Sequence, residues 1–159
     1  MMSSTNPLRT PTLDFIARLT VDVASPWELG ESAHGQRRFI AITGGDVAGE
    51  RLNGRILAAG GDWQTIRADG VAELYARYFL ETDEGERIEV ENTGFRHGPP
   101  AVMQRLRDGE AVPPEDYYFH TAPRFFTTST RLDWLNRTLF LGSAARTQDN
   151  VVIDLFAVG

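Results

Sequence analysis

An apolar residue at every second position, repeated in segment after segment, is the feature that most restricts this chain. Leu13, Phe15, Ala17, Leu19, Val21 and Val23 point one way, and Thr12, Asp14, Arg18, Thr20 and Asp22 the other, with Ile16 the exception. A period of two over this length is a half-buried strand. Further runs follow at Arg37–Thr43, Glu50–Ala58, Trp63–Arg67, Val71–Thr82, Arg87–Thr93, Tyr117–Thr128, Leu135–Leu141 and Val151–Val158. Turn chemistry bounds them: Gly44-Gly45-Asp46, Gly60-Gly61-Asp62, Ala68-Asp69-Gly70 and Asp83-Glu84-Gly85-Glu86. The alternation breaks at Pro99–Gly109, which has proline at its start, glycine at its end and apolar residues at 102, 103 and 106. That pattern predicts one short helix over 99–109. About nine strands and a single helix make an all-β antiparallel sandwich or barrel.

Composition narrows the chemistry. The chain has 159 residues, 42% hydrophobic and 24% charged, enough to bury one core. Residues 1–11 carry two prolines and no periodicity and read as a flexible arm, leaving 12–159 as one domain. There is no cysteine, and all 16 cationic side chains are arginine. Thiolate metal sites, disulfides, Schiff-base chemistry and a P-loop lysine are thereby excluded. The three histidines are scattered at 34, 97 and 120, and no dinucleotide or nucleophile-elbow motif appears. No cofactor is expected: neither transition metal, flavin nor nicotinamide. A net charge of −6 argues against nucleic acid. The absence of a long apolar run argues against a membrane, and a cytoplasmic location is expected.

A nine-strand meander must dispose of its sheet edges, and closure into a barrel does so completely. A barrel of about eight strands is filled by side chains or holds one small ligand. Several polar groups are candidates to line such a cavity. Asp62 and Gln64 share one face of a strand behind a diglycine, and Asp62 is suited to act as a general base. Glu73, Tyr75 and Arg77 share a face with Phe79, mixing charge with aromatic surface. Arg96 and His97 stand between Gly94 and Pro99, with His97 poised for proton transfer near neutral pH. Tyr118, His120 and Arg124 share a face in an aromatic strand, and Asn136 lies opposite Leu135 and Leu139. A short turn at Ala68–Gly70 predicts that Gln64 and Glu73 lie close together, with Asp62 approaching Tyr75 or Arg77.

Five motifs occur in order: Ile42-Thr43-Gly44-Gly45, Gly61-Asp62-Trp63-Gln64, Gly94-Phe95-Arg96-His97-Gly98-Pro99, Tyr117-Tyr118-Phe119 with Pro123-Arg124-Phe125, and Trp134-Leu135-Asn136. Together they resemble the bacterial and fungal family of unknown function DUF3237, also called UPF0311, from about residue 12 onward. The sequence departs from the family pattern at His120, where arginine is more usual. The resemblance implies a compact antiparallel β-barrel, lipocalin-like in outline, and says little of activity.

The polar inventory points to a cofactor-independent acid–base enzyme of lyase, isomerase or hydratase type, acting on a small aromatic or carbonyl-bearing metabolite. In that role Asp62 or Glu73 is the base and Tyr118 or His97 the acid. Arg77, Arg96 and Arg124 hold an oxyanion, with Gln64, Tyr75 and Asn136 completing the pocket. The alternatives are a non-catalytic barrel that carries or senses an apolar organic acid, and a filled barrel whose aromatic strands form a homo-oligomer interface.

Overall fold

The computed structural model describes residues 7–159. Its strands are β1 (Leu13–Val23), β2 (Trp27–Ser32), β3 (Gly35–Ala48), β4 (Gly54–Ile56), β5 (Gly61–Ile66), β6 (Ala72–Thr82), β7 (Arg87–His97), β8 (Tyr118–Phe126), β9 (Phe140–Arg146) and β10 (Asn150–Val158). The helix α1 (Pro100–Arg107) joins β7 to a 3₁₀ turn at Pro114–Asp116, and a second 3₁₀ turn spans Asp133–Arg137. The first six positions of the arm expected over 1–11 lie outside the described residues, and residues 7–12 are exposed and carry no strand. Among the described residues, no helix is long and apolar enough to cross a membrane.

Every strand pairing is antiparallel, and the ring closes. Its circuit runs β1, β10, β9, β8, β7, β6, β5, β3 and back to β1. β5 pairs with Gln36–Ala41 of β3, whereas β4 pairs with Gly45–Val47. Both also pair with β6, so β4 and β5 share one place in the wall. β2 lies on the first half of β3, which β1 does not reach. The result is an eight-stranded closed barrel with two extra strands, as the period-two pattern requires once sheet edges are removed.

Closure depends on β3. The sequence pattern ends this strand at Gly44-Gly45-Asp46, but the strand runs through the diglycine to Ala48. Its first half serves β2 and β5, and its second half serves β1 and β4. Gly44 and Gly45 have φ of 147° and 142°, a region that side chains rarely occupy. A Cβ on Gly45 would stand 2.0 Å from the Thr20 carbonyl oxygen of β1. Glycine is therefore needed both to turn the strand and to let β1 approach.

Other departures from the sequence pattern have local causes. β2 buries none of its residues, so it has no inside–outside alternation to read. The run expected at Glu50–Ala58 shrinks to the three residues of β4. The run expected at Leu135–Leu141 is a 3₁₀ turn that buries Leu135, followed by β9, with Leu139 and Leu141 exposed. In β1, a register shift between Phe15 and Ala17 turns Leu13 and Phe15 outward and buries Ile16. That bulge explains the one residue that broke the alternation.

Two apolar clusters fill the interior. The larger includes Leu19, Ile56, Leu80, Ile88, Val90, Leu135 and Phe140. A smaller one, Ala72, Leu74, Val112, Tyr117 and Phe119, packs beneath Met103 and Leu106 of α1. Gly45→Ala is expected to lower stability by about 2–6 kcal/mol, the sum of a strained φ and a main-chain clash. Denaturant unfolding monitored by tryptophan fluorescence checks this; an unchanged midpoint would show that β3 does not need glycine to close the ring.

Candidate functional site

Between the two clusters the barrel interior turns polar. Asp62 and Gln64 project inward from β5, Tyr78 from β6, Asn92 and Arg96 from β7, and Thr121 from β8. They surround a space of about 50 Å³, room for only a few atoms. A second cavity of about 650 Å³ lies beneath α1, lined by Arg38 of β3 and by Met103, Leu106 and Arg107. Val23, Arg96 and Arg146 line both spaces, so these arginines stand at the neck between them.

A hydrogen-bond relay fixes the one carboxylate in this layer. The Arg38 Nε donates to Gln64 Oε1 at 2.7 Å, which leaves the Gln64 amide nitrogen to donate to Asp62 Oδ2, also at 2.7 Å. Asp62 Oδ1 accepts the Tyr75 backbone N–H at 3.1 Å. Both carboxylate oxygens are thus held, and Gln64 is 1% exposed. Burial nevertheless raises the Asp62 pKa above the ordinary aspartate range, against the opposing pull of Gln64, Arg96, the Tyr75 amide and Arg38. Burial also raises Tyr78, reinforced by the Asp62 charge and opposed by the neighbouring Asn92 side chain, so its phenol keeps its proton.

The remaining polar groups lack partners. Arg96 is 5% exposed, yet it makes no hydrogen bond or ion pair with another described residue. Its guanidinium carbon lies 5.3 Å from the centre of the Phe119 ring. Burial, then the charges of Arg38 and Arg146, bring its pKa down to about 10, so it remains cationic at neutral pH. The Tyr78 hydroxyl, Asn92 Oδ1 and Thr121 Oγ1 are buried with no hydrogen-bond partner. Natural interiors seldom leave such groups orphaned, and each costs about 1–3 kcal/mol. Among the described residues Asp62 is the one carboxylate bordering the inner space, where it faces Arg96 and Arg146, whereas Glu28, Asp108 and Asp149 border the larger cavity and Glu28 lies 3.9 Å from Arg38. Among the described residues, no three histidine, aspartate or glutamate side chains converge to hold a metal ion.

Comparison with known proteins places this barrel. The family model described as "Protein of unknown function (DUF3237)" matches residues 11–158. The chain belongs to the DUF3237 family. A UPF0311 protein of Rhodopseudomonas palustris is 44% identical over 151 residues, covering 94% of this chain and 99% of the relative. The crystal structure of a beta-barrel like protein from Acinetobacter baumannii superposes with a TM-score of 0.85 at 40% identity, covering 98% of this chain and all of that one. A crystal structure described as an enzyme from Penicillium herquei shares the fold, with a TM-score of 0.73 at 20% identity over 97% of this chain and 98% of that one.

Within this DUF3237 barrel the residues singled out from the sequence fall into two groups. Asp62, Gln64 and Arg96 meet in the interior. Glu73, Tyr75, Arg77 and Tyr118 line a hollow of about 870 Å³ on the outer surface, and the expectation that Glu73 and Arg77 face the lumen is not met. β5 and β6 pair with Thr65 opposite Glu73 and Gln64 opposite Leu74, which turns the Glu73 face outward. Outside, the charges are mutually satisfied: Arg77 pairs with Glu89, and Tyr75 donates to Glu91 at 3.2 Å. His97 is likewise exposed, its ring stacked on Tyr118 with centroids 4.7 Å apart. Arg124 is exposed opposite Glu91. Asn136 binds both the N–H and the carbonyl of Thr127 at 2.9 Å, tying the 3₁₀ turn to the end of β8. Arg38, Arg146, Tyr78, Asn92 and Thr121 were not singled out. Arg38 alternates in phase with the buried Ile40 and Ile42, so its inward direction is legible in the sequence.

The uncompensated Arg96 is a stability cost. Arg96→Met is expected to stabilise the ligand-free protein by about 1–3 kcal/mol, since desolvating a guanidinium that forms no ion pair costs more than its attraction to Asp62 returns. Lost cation–π attraction to Phe119 offsets only part of that gain. Calorimetry should show Tm rising by roughly 2–4 °C for each kcal/mol gained. A lowered Tm would show that Arg96 is structurally compensated.

Proposed function

We propose that this barrel is a cofactor-independent acid–base enzyme of lyase, isomerase or hydratase type, acting on a small carbonyl-bearing metabolite, with Asp62 as the proton-transfer group. The observation that carries this reading is Asp62 itself. Its carboxylate is oriented through both oxygens, has a raised pKa and borders a cavity in which the Tyr78 hydroxyl, Asn92 Oδ1 and Thr121 Oγ1 have no hydrogen-bond partner. A base of this kind works best when its pKa moves toward the working pH. The description of the Penicillium herquei protein as an enzyme supports catalysis on this scaffold and specifies no reaction.

In the simplest step, Asp62 takes a proton from the carbon next to a carbonyl. The electron pair of that C–H bond passes into the new C=C bond of an enolate, and the carbonyl oxygen receives the charge. The protonated Tyr78 hydroxyl is the inner donor suited to that oxygen. Return of the proton to another carbon isomerises the substrate, and departure of a β-substituent makes the reaction a lyase.

Proton exchange tests this without knowledge of the natural substrate. In D₂O the protein should wash deuterium into the α-position of a bound keto acid such as phenylpyruvate or 3-benzoylpropionate, followed by NMR. Asp62→Asn should slow exchange about 10²–10⁴-fold while leaving the fold intact. Ligands that bind but exchange no faster than in buffer would overturn catalysis and make the barrel a carrier.

The pH dependence follows from the sign of the shift. The ionised carboxylate is the active base, so exchange should rise with pH through an apparent pKa above the ~3.9 of a free aspartate. The Gln64 hydrogen bond favours the ionised form. Gln64→Ala should therefore move the rising limb further upward, a response that a purely structural role for Gln64 would not give.

A further inference from the structure

We infer that the ligand of this barrel is an organic carboxylate whose anionic group seats at the arginine neck beneath α1, while its carbonyl or hydroxyl oxygen alone reaches the inner space beside Asp62. This inference rests on the acid–base reading above and names its substrate class.

The free donors define the anion site. Arg38 spends its Nε on Gln64, and one terminal nitrogen lies 3.9 Å from Glu28 at the rim. Arg146 spends its Nε on the Thr147 carbonyl at 3.0 Å. Arg96 spends nothing on any described residue. What remains at the neck is the Arg96 guanidinium and the terminal nitrogens of Arg146, with Arg38 beside them in the larger cavity, a forked array that matches a carboxylate. Arg38 lowers the basicity of both Arg96 and Arg146, and Arg146 lowers that of Arg96, as expected of cations held close together. Asp62 attracts all three, Glu28 adds to its pull on Arg38 and Asp149 to its pull on Arg146, yet no carboxylate of the described residues lies within ion-pair distance of Arg96.

Cavity sizes then orient the ligand. About 50 Å³ around Tyr78, Asn92 and Thr121 admits a small group and no ring, whereas 650 Å³ beneath α1 accommodates an aromatic body against Met103 and Leu106. The three orphaned atoms at the inner end are polar and come from adjacent strands, so the group reaching them bears oxygen. Carboxylate, apolar body and a second oxygen describe an aromatic keto or hydroxy acid.

Titration calorimetry with phenylpyruvate, its primary amide and 3-phenylpropionate tests both ends of the site. The acid should bind tenfold to a hundredfold more tightly than the amide, the size of one charge-assisted hydrogen bond. Arg146→Gln should erase that preference, and Arg146→Lys should restore part of it, which separates charge from misfolding. Tyr78→Phe should remove the advantage of phenylpyruvate over 3-phenylpropionate, which lacks the keto oxygen. Equal binding of acid and amide, or a preference unaffected by Arg146→Gln, overturns the anion site. Equal loss of phenylpyruvate and 3-phenylpropionate binding in Tyr78→Phe overturns the inner oxygen seat. The two readings fail separately. Acid-selective binding without deuterium exchange defeats catalysis and keeps the anion site, whereas Asp62-dependent exchange on the amide with no acid preference does the reverse.

Discussion

Closure of β3 onto β1 is the contact on which the interior chemistry depends. One strand serves two partners on each side because Gly44 and Gly45 turn it and because Gly45 offers no Cβ to the Thr20 carbonyl. Without closure, β5 would be an edge or near-edge strand and Asp62 would face water. With it, Asp62 and Arg96 are enclosed by strands on all sides, where charge–charge forces act at reduced dielectric. The raised carboxylate and the lowered guanidinium are consequences of that enclosure, and burial is the largest cause of both.

Enclosed charge has to be stabilised from elsewhere in the molecule. The larger apolar cluster, with Ile88 and Val90 fully buried, occupies one end of the barrel and contains no charged side chain. The polar layer stands above it, and α1 covers the other end without burying any residue completely. A helix of eight residues is marginal alone and is held by its contacts with the smaller cluster. Stability is thus concentrated away from the polar layer, which is free to hold unpartnered groups whose cost the rest of the fold offsets. The β8–β9 wall is also thin, with only two residue pairs, and the Tyr117 hydroxyl bridges it by accepting the Arg146 backbone N–H at 2.8 Å. The same segment thereby places one of the three neck arginines.

How much of this could be read from the sequence varied by element. The barrel, the helix, the hairpin joining β5 to β6 and the inward direction of Asp62 and Gln64 follow from alternation and turn chemistry. The inner face of β6 does not. Glu73, Tyr75, Arg77 and Phe79 look like a polar cavity because charge alternates with aromatic rings, yet outside they need nothing more than water and cross-strand partners such as Glu89 and Glu91. The true inner face, Leu74, Ala76 and Tyr78, looks like plain core. A cavity wall in a small barrel must be mostly apolar, since each enclosed polar group carries a desolvation cost, so a few polar atoms on an apolar face are the stronger signal. Arg146 escaped for another reason: alternation through Leu139 and Leu141 suggested a strand ending there, whereas both are exposed and the strand begins at Phe140.

The inner face also separates two kinds of arginine that composition alone treats alike. Arg18, Arg55, Arg77 and Arg131 each meet a carboxylate on the surface, and exposed pairs of this kind contribute at most about 1 kcal/mol. Arg96 is more deeply buried and forms no such pair: the carboxylate that shares its inner space, Asp62, is hydrogen-bonded to Gln64 and the Tyr75 amide instead. In a chain with an excess of acidic residues, a second carboxylate within reach of Arg96 would be easy to supply, and a single substitution on a neighbouring strand would do it. Thr121 and Asn92 stand at lining positions where an aspartate would fit the alternation, yet both present neutral atoms that are themselves unpaired. Pairing within the protein would satisfy these groups; leaving the cation and the neutral oxygens unmatched makes the barrel less stable and keeps their hydrogen-bonding capacity free in its interior.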